Sequence, residues 1–152
     1  MQGKRDAVKG SSSGGRLLPP DELASRVLSL SGTLQRSIAS ALTEKGLGVP
    51  QWQVVNALAR GSEGRTMSEL SSSLGIPAAS LTRIIDGLVD RALVHRTLDG
   101  MDRRRVLVGV TERGRVWHGQ AASRISEALD PKLGALADWE AATLAALLEK
   151  IS

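Results

Sequence analysis

The chain has 152 residues, 41% apolar and 24% charged, proportions that suit one soluble globular domain rather than a disordered or membrane-embedded protein. Cysteine is absent, which excludes disulfides, thiolate catalysis and cysteine-based zinc sites. The net charge of +4 is unevenly placed, with +3 on residues 1–20 and +4 on residues 91–115, so two basic segments are available to a polyanion such as DNA. Phe and Tyr are also missing, and the only aromatics are Trp52, Trp117 and Trp139. Stacking platforms for single-stranded nucleic acid are therefore hard to build, and an aliphatic core rich in Leu and Ala predicts mostly helix.

Residues 1–18 read as a disordered basic tail of Gly, Ser and charge. The tail lacks the apolar centre of a secretory signal, which points to the cytoplasm. Gly10-Ser11-Ser12-Ser13-Gly14 formally matches a hydrolase nucleophile elbow, but that motif needs a strand before it and a helix after it. Residues 19–152 then read as a single domain. Pro19-Pro20-Asp21 opens a long helix with Leu23, Val27, Leu30, Leu34, Ile38 and Leu42 on one stripe, ended by Gly46 and Gly48. A second helix follows Pro50 and turns Trp52, Val55 and Leu58 or Ala59 inward, Trp52 serving as core filler or as the wall of a ligand cavity.

Two short helices come next. Thr66 or Ser68 caps the first, Gly75 closes it, and Pro77 starts the second. Leu81, Ile84, Ile85 and Leu88 form the inner stripe of that second helix, leaving Ala78, Ala79, Ser80, Thr82, Arg83, Asp86 and Gly87 outside. The period then changes to two over residues 93–98 and 106–110, a β-hairpin whose long tip holds Asp102, Arg103, Arg104 and Arg105. Thr111 caps a further helix through Trp117, Ala121, Ile125 and Leu129, which Pro131 is expected to interrupt. A last helix follows Asp138, with Trp139, Leu144, Leu147, Leu148 and Ile151 on its apolar side.

Two short helices and an arginine-tipped hairpin are the order of a winged helix-turn-helix. The expected fold class is mainly α, within α+β, with the winged lobe over about 50–112 and dimerisation helices over about 21–45 and 113–151. A helix whose leading half is small and polar can enter a major groove about 12 Å wide, bringing Ala78, Ser80, Thr82 and Arg83 to base edges and phosphates. Arg103, Arg104 and Arg105 suit the negative potential of the neighbouring minor groove. Alternation along a strand keeps them from sharing one direction, and Asp102 is placed to orient the Arg104 guanidinium by a bidentate pair.

From Met67 to Gly114 the chain resembles the MarR family of bacterial transcriptional regulators. The resemblance is carried by Ser68-Glu69-Leu70, Ser80-Leu81-Thr82-Arg83, Leu88, Leu93-Val94, Arg96, Asp102-Arg103-Arg104 and Thr111-Glu112-Arg113-Gly114. It implies a homodimer with intertwined terminal helices and a recognition helix near residues 77–90. It also implies a sequence-specific regulator of double-stranded DNA, of the repressor kind, on a palindromic operator and released by a small aromatic effector. Ala92 departs from the family's glycine where a helix end tends to need positive φ, Val110 replaces the usual leucine, and Gly87 weakens the end of the recognition helix.

One lobe can hardly cover both terminal helices. Pairing through Val27, Leu30, Leu34, Leu144, Leu147, Leu148 and Ile151 would bury them and set two recognition helices about one DNA turn apart. Trp52, His95 and Trp117 are the candidate effector contacts. No phosphate loop, clustered carboxylates or paired metal-ligating histidines are present, so neither an enzyme, nor a cofactor, nor a metal site is expected. The competing reading is a helical protein-interaction module without sequence-specific DNA binding.

Overall fold

The computed structural model describes residues 18–61 and 63–151; the basic tail expected over residues 1–18, with its Gly10 to Gly14 pattern, lies outside them apart from Leu18. Helix α1 (Pro20–Leu42) starts behind Pro19, with Asp21 and Glu22 in its first turn where carboxylates favour the helix dipole. A single 3-10 turn (Thr43–Lys45) ends at Gly46, whose φ of 64° reverses the chain into α2 (Val49–Ala59).

Strand β1 (Arg65–Thr66) leads directly into α3 (Met67–Leu74). The capping box of α3 is reciprocal. Thr66 Oγ1 accepts the Glu69 N–H at 3.2 Å, and Glu69 Oε2 accepts the Thr66 N–H at 2.8 Å. Gly75 ends the helix, the Ser71 hydroxyl donates to the Ile76 carbonyl across the turn at 2.7 Å, and Pro77 begins α4 (Ala78–Asp90). Strands β2 (Val94–Leu98) and β3 (Val106–Val110) form the expected hairpin, in register from Val94 opposite Val110 to Leu98 opposite Val106. The antiparallel sheet has the order β1-β3-β2; β1, at two residues, is too short to leave a periodic trace in the sequence.

Thr111 welds the hairpin to α5 (Glu112–Leu133). Its hydroxyl accepts the Gly114 N–H at 2.9 Å and donates to the Ala92 carbonyl at 2.7 Å, and its own N–H reaches the Leu93 carbonyl at 3.0 Å. A side chain at Gly114 would run into the Leu93 carbonyl, so this close approach requires glycine. Pro131 does not interrupt α5. It stands in the last turn, where the missing N–H removes one bond only, and the Gly134 N–H still reaches the Asp130 carbonyl at 2.8 Å. Helix α6 (Asp138–Ile151) completes the chain.

The core is in two parts. Val54, Val55, Leu58, Leu70, Leu81, Ile85, Leu88, Leu93, Val94, Val108 and Val110 close the lobe between α2 and β3. Ile38 and Leu42 of α1 meet Ala121 and Ile125 of α5 in a smaller cluster, and Trp117 packs against both. Burial on the α1 stripe stops there: Leu23, Val27 and Leu30 are exposed, and α6 has no buried residue at all. Leu144, Leu147, Leu148 and Ile151 are 37%, 55%, 43% and 71% exposed, so a single chain leaves the apolar sides of both terminal helices open. No helix among the described residues is long and apolar enough to cross a membrane.

Candidate nucleic-acid interface

Helix α4 buries Leu81, Ile85 and Leu88 and half-buries Ile84, which fixes the rotation of the helix and leaves Ala78, Ala79, Ser80, Thr82 and Arg83 exposed. The Thr82 hydroxyl donates to the Ala78 carbonyl at 2.9 Å, so it turns back onto its own helix and offers only its lone pairs outward. Asp86, also outside, pairs with Arg96 of β2 at 2.7 Å. An exposed pair of this kind adds little stability. It joins the candidate recognition helix to the wing strand and offsets a carboxylate that would repel DNA.

The wing loop is closed by its own main chain. The Asp99 N–H donates to the Arg105 carbonyl and the Arg105 N–H to the Asp102 carbonyl, both at 2.9 Å. Asp99 Oδ1 accepts the Met101 N–H at 2.8 Å; that bond first, with the Asp102 N–H and the Arg105 charge, holds the Asp99 carboxyl below its ordinary range. The carboxylate of Asp102 has a different partner from the one expected. It accepts the main-chain N–H of Arg104 at 3.0 Å instead of gripping the guanidinium, because an aspartate two residues before an N–H is already in reach of an Asx turn.

The three arginines separate accordingly. Arg103 and Arg104 are exposed and form no ion pair among the described residues. Arg105 lies 3.4 Å from Glu69 and 3.8 Å from Asp99. The Glu69 carboxyl is held low by the main-chain N–H and hydroxyl of Thr66, and then by Arg105 and Arg65. The sequence reading missed both ties, Asp86 to Arg96 and Glu69 to Arg105, since each joins elements ten or more positions apart with no local spacing rule.

Trp52 and Trp117 both pack against the smaller core cluster, but Trp52, His95 and Trp117 each line a different depression. Trp117 faces a groove of about 560 Å³ with Asp90, Arg91, Ala92 and Arg113. His95 lies over Gly109 and borders a smaller hollow of about 230 Å³. Trp52 lines a cavity of about 380 Å³ between α2 and α5, together with Asn56, Arg60, His118 and Asp130. The Trp52 Nε1 itself is buried and has no hydrogen-bond partner among the described residues. Asn56 Oδ1 accepts from Arg60 Nε at 3.2 Å and meets His118 Nε2 at 2.9 Å, which places the imidazole proton on Nε2. Burial, with the Arg60 charge adding to it, pushes the His118 pKa below the usual histidine range. Asn56 and Arg60 are the side chains the sequence reading overlooked here; their spacing of four on α2 is the signal that could have found them.

The sequence model of the MarR family matches residues 45–105. Among curated protein sequences none matches. Among solved structures the chain is similar to CouR from Rhodococcus jostii RHA1 bound to p-coumaroyl-CoA, at 26% identity over 86% of this chain and 92% of that one, with a TM-score of 0.79. A mutant MarR from E. coli complexed with operator DNA is 26% identical over 85% of this chain and 92% of that one, with a TM-score of 0.69. A MarR transcriptional regulator from Methanosarcina mazei Go1 is 25% identical over 86% and 94% of the two chains, with a TM-score of 0.73.

Proposed function

We propose that the chain is a transcriptional regulator of the MarR type, to which its residues 45–105 and its fold are similar, and that it acts as a cytoplasmic homodimeric repressor whose two lobes hold a palindromic double-stranded DNA operator. The carrying observation is the exposed face of α4 from Ala78 to Arg83, presented beside a wing whose Arg103 and Arg104 form no ion pair among the described residues. Small polar side chains on α4 admit the helix to the major groove, where Ser80 and Arg83 take the base edges and phosphates and Thr82 adds an acceptor. Arg103 and Arg104 reach the adjacent minor groove and backbone. The similarity to a family member complexed with operator DNA supports this docking.

Dimerisation follows from the open apolar sides of α1 and α6. Val27, Leu30 and Leu34 of one copy, with Leu144, Leu147, Leu148 and Ile151, form a self-complementary surface that a two-fold axis covers. For the effector, the cavity between α2 and α5 is favoured over the depressions at His95 and Trp117, because it sets the hydrogen-bonding groups of Asn56, Arg60 and His118 beside the apolar Trp52, Ile125 and Leu129. CouR, bound to p-coumaroyl-CoA, supports a small-molecule response in this fold.

Selection from a random duplex pool tests the proposal. The expected product is an inverted repeat with half-sites about one helical turn apart, retained by a species of twice the chain mass in light scattering. Binding to the selected duplex should weaken steeply with salt while the sequence preference persists. Recovery of no preferred sequence, with a flat salt response, would instead assign the chain to protein interaction.

A further inference from the structure

Arg105 differs from its two neighbours in what surrounds it. Its Nη2 lies 3.4 Å from Glu69 Oε1 and its Nη1 3.8 Å from Asp99 Oδ2, so one guanidinium spans a carboxylate of the wing loop and one of α3, 36 positions earlier in the chain. Both anchors are themselves fixed. Glu69 is held by the capping box of α3 and Asp99 by the Met101 N–H. The main chain of Arg105 also closes the loop, through its carbonyl to Asp99 and its N–H to Asp102. We propose that Arg105 is a positioning residue, which ties the wing loop to the first turn of α3 and so sets where Arg104 stands relative to the recognition helix, and that it does not itself neutralise a DNA phosphate.

The electrostatics favour this division. Moving Arg105 onto a phosphate would leave Glu69 and Asp99 unpaired and facing a polyanion, an arrangement that weakens association. Left in place, it offsets one of their two negative charges, and Arg103 and Arg104 are free to contact DNA. A solvent-exposed pair contributes little to global stability. Its effect falls on the ordering of the loop, since a wing already held in place loses less conformational freedom when DNA binds.

The inference rests on the DNA-binding reading above, and its test separates the two. Glu69→Gln retains an amide oxygen for the Thr66 N–H, so the helix cap survives while the anionic acceptor of Arg105 is lost. Affinity for the selected operator is measured against salt for the wild type, Arg104→Ala, Arg105→Ala, Glu69→Gln and the Glu69/Arg105 double variant. Arg104→Ala should lower the slope of log K against log salt by about one. Arg105→Ala and Glu69→Gln should each weaken binding by about threefold to tenfold with the slope unchanged, and the double variant should be no weaker than Arg105→Ala alone. Bulk electrostatics predicts the opposite sign for Glu69→Gln, which removes a negative charge near DNA. A slope reduced by about one in Arg105→Ala, or a double variant showing the summed losses, overturns the assignment. Amide exchange at Asp99 and Arg105 needs no DNA. It should quicken severalfold in Arg105→Ala and Glu69→Gln but not in Arg104→Ala, and unchanged exchange in the first two also overturns it, whatever the chain binds.

Discussion

Leucine is used in two ways along this chain. Leu58, Leu70, Leu81 and Leu88 are sealed within the lobe by three helices and a sheet, while Leu23, Leu30, Leu147 and Leu148 stand open on α1 and α6. Both sets recur at helical spacing, so periodicity alone cannot tell them apart. The lobe can close because its helices are short and cross one another around β3, so each apolar stripe meets another from the same chain. The long α1 buries side chains fully only at Ile38 and Leu42, where it packs on α5, and α6 meets nothing that buries it. Single exposed leucines are ordinary on a protein surface, but a row of them on each of two helices is a patch that calls for a partner.

The sharpest test of this contrast exchanges one residue from each set. Ile85→Ala removes a fully buried side chain from the lobe and should lower unfolding free energy by about 2–5 kcal/mol, read from chemical denaturation. Leu147→Glu puts a charge on the open side of α6. It should dissociate the proposed dimer at micromolar concentration in light scattering, a loss of at least about 1.4 kcal/mol per tenfold weakening, while amide exchange within the lobe stays protected. Equal damage to lobe protection from the two substitutions would erase the distinction between an internal core and an intermolecular one.

The lobe's outer surface forms a third category, whose side chains are proposed to serve binding rather than folding. Arg104→Ala should weaken operator binding by about 1–3 kcal/mol, with melting temperature and dimer mass unchanged. Acid gives a smaller and more local effect. Glu69 and Asp99 both have lowered folded-state pKa values, so their contribution is fully present above the ordinary carboxylate value of about 4 and is lost as pH falls through the lowered values. Below that point wing amides should exchange faster, corrected for intrinsic rates, before the amides of Ile85 and Leu88 lose protection.

Much of this arrangement was legible because its causes are local. Thr66 and Thr111 cap helices through bonds three residues long, Gly75 and Pro77 delimit a turn, and the change of period after Ala92 announces the hairpin. What was not legible depends on where distant elements come to rest. The sequence offered Arg104 as the partner of Asp102, but the nearer main-chain N–H took the carboxylate, a short-range bond with little entropy to lose. Residue type alone groups Trp52 with Trp117 as effector contacts, yet α2 and α5 set them along different depressions. Strand β1 exists only because β3 passes beside Arg65 and Thr66.

Ala92 gives the smallest effect and a direct view of how firmly the lobe constrains its chain. Its φ of 55° lies in the left-handed region, so the turn keeps the glycine-like geometry despite the alanine. Three bonds hold it there. The Ala92 N–H reaches the Val89 carbonyl at 2.8 Å, the Leu93 N–H reaches Leu88 at 3.0 Å, and the Thr111 hydroxyl donates to the Ala92 carbonyl at 2.7 Å. The first two finish α4 and the third joins the turn to α5, so relaxing φ would unmake the junction between α4 and the hairpin. Left-handed alanine costs about 1–2 kcal/mol, and glycine relieves that while its freer unfolded chain returns roughly 0.5–1 kcal/mol. Ala92→Gly should therefore stabilise the lobe by about 0.5 kcal/mol with operator affinity unchanged. A destabilisation would mean that the methyl group does packing work in the groove beside Trp117, and that the open surface of the lobe is more closely fitted than its leucines suggest.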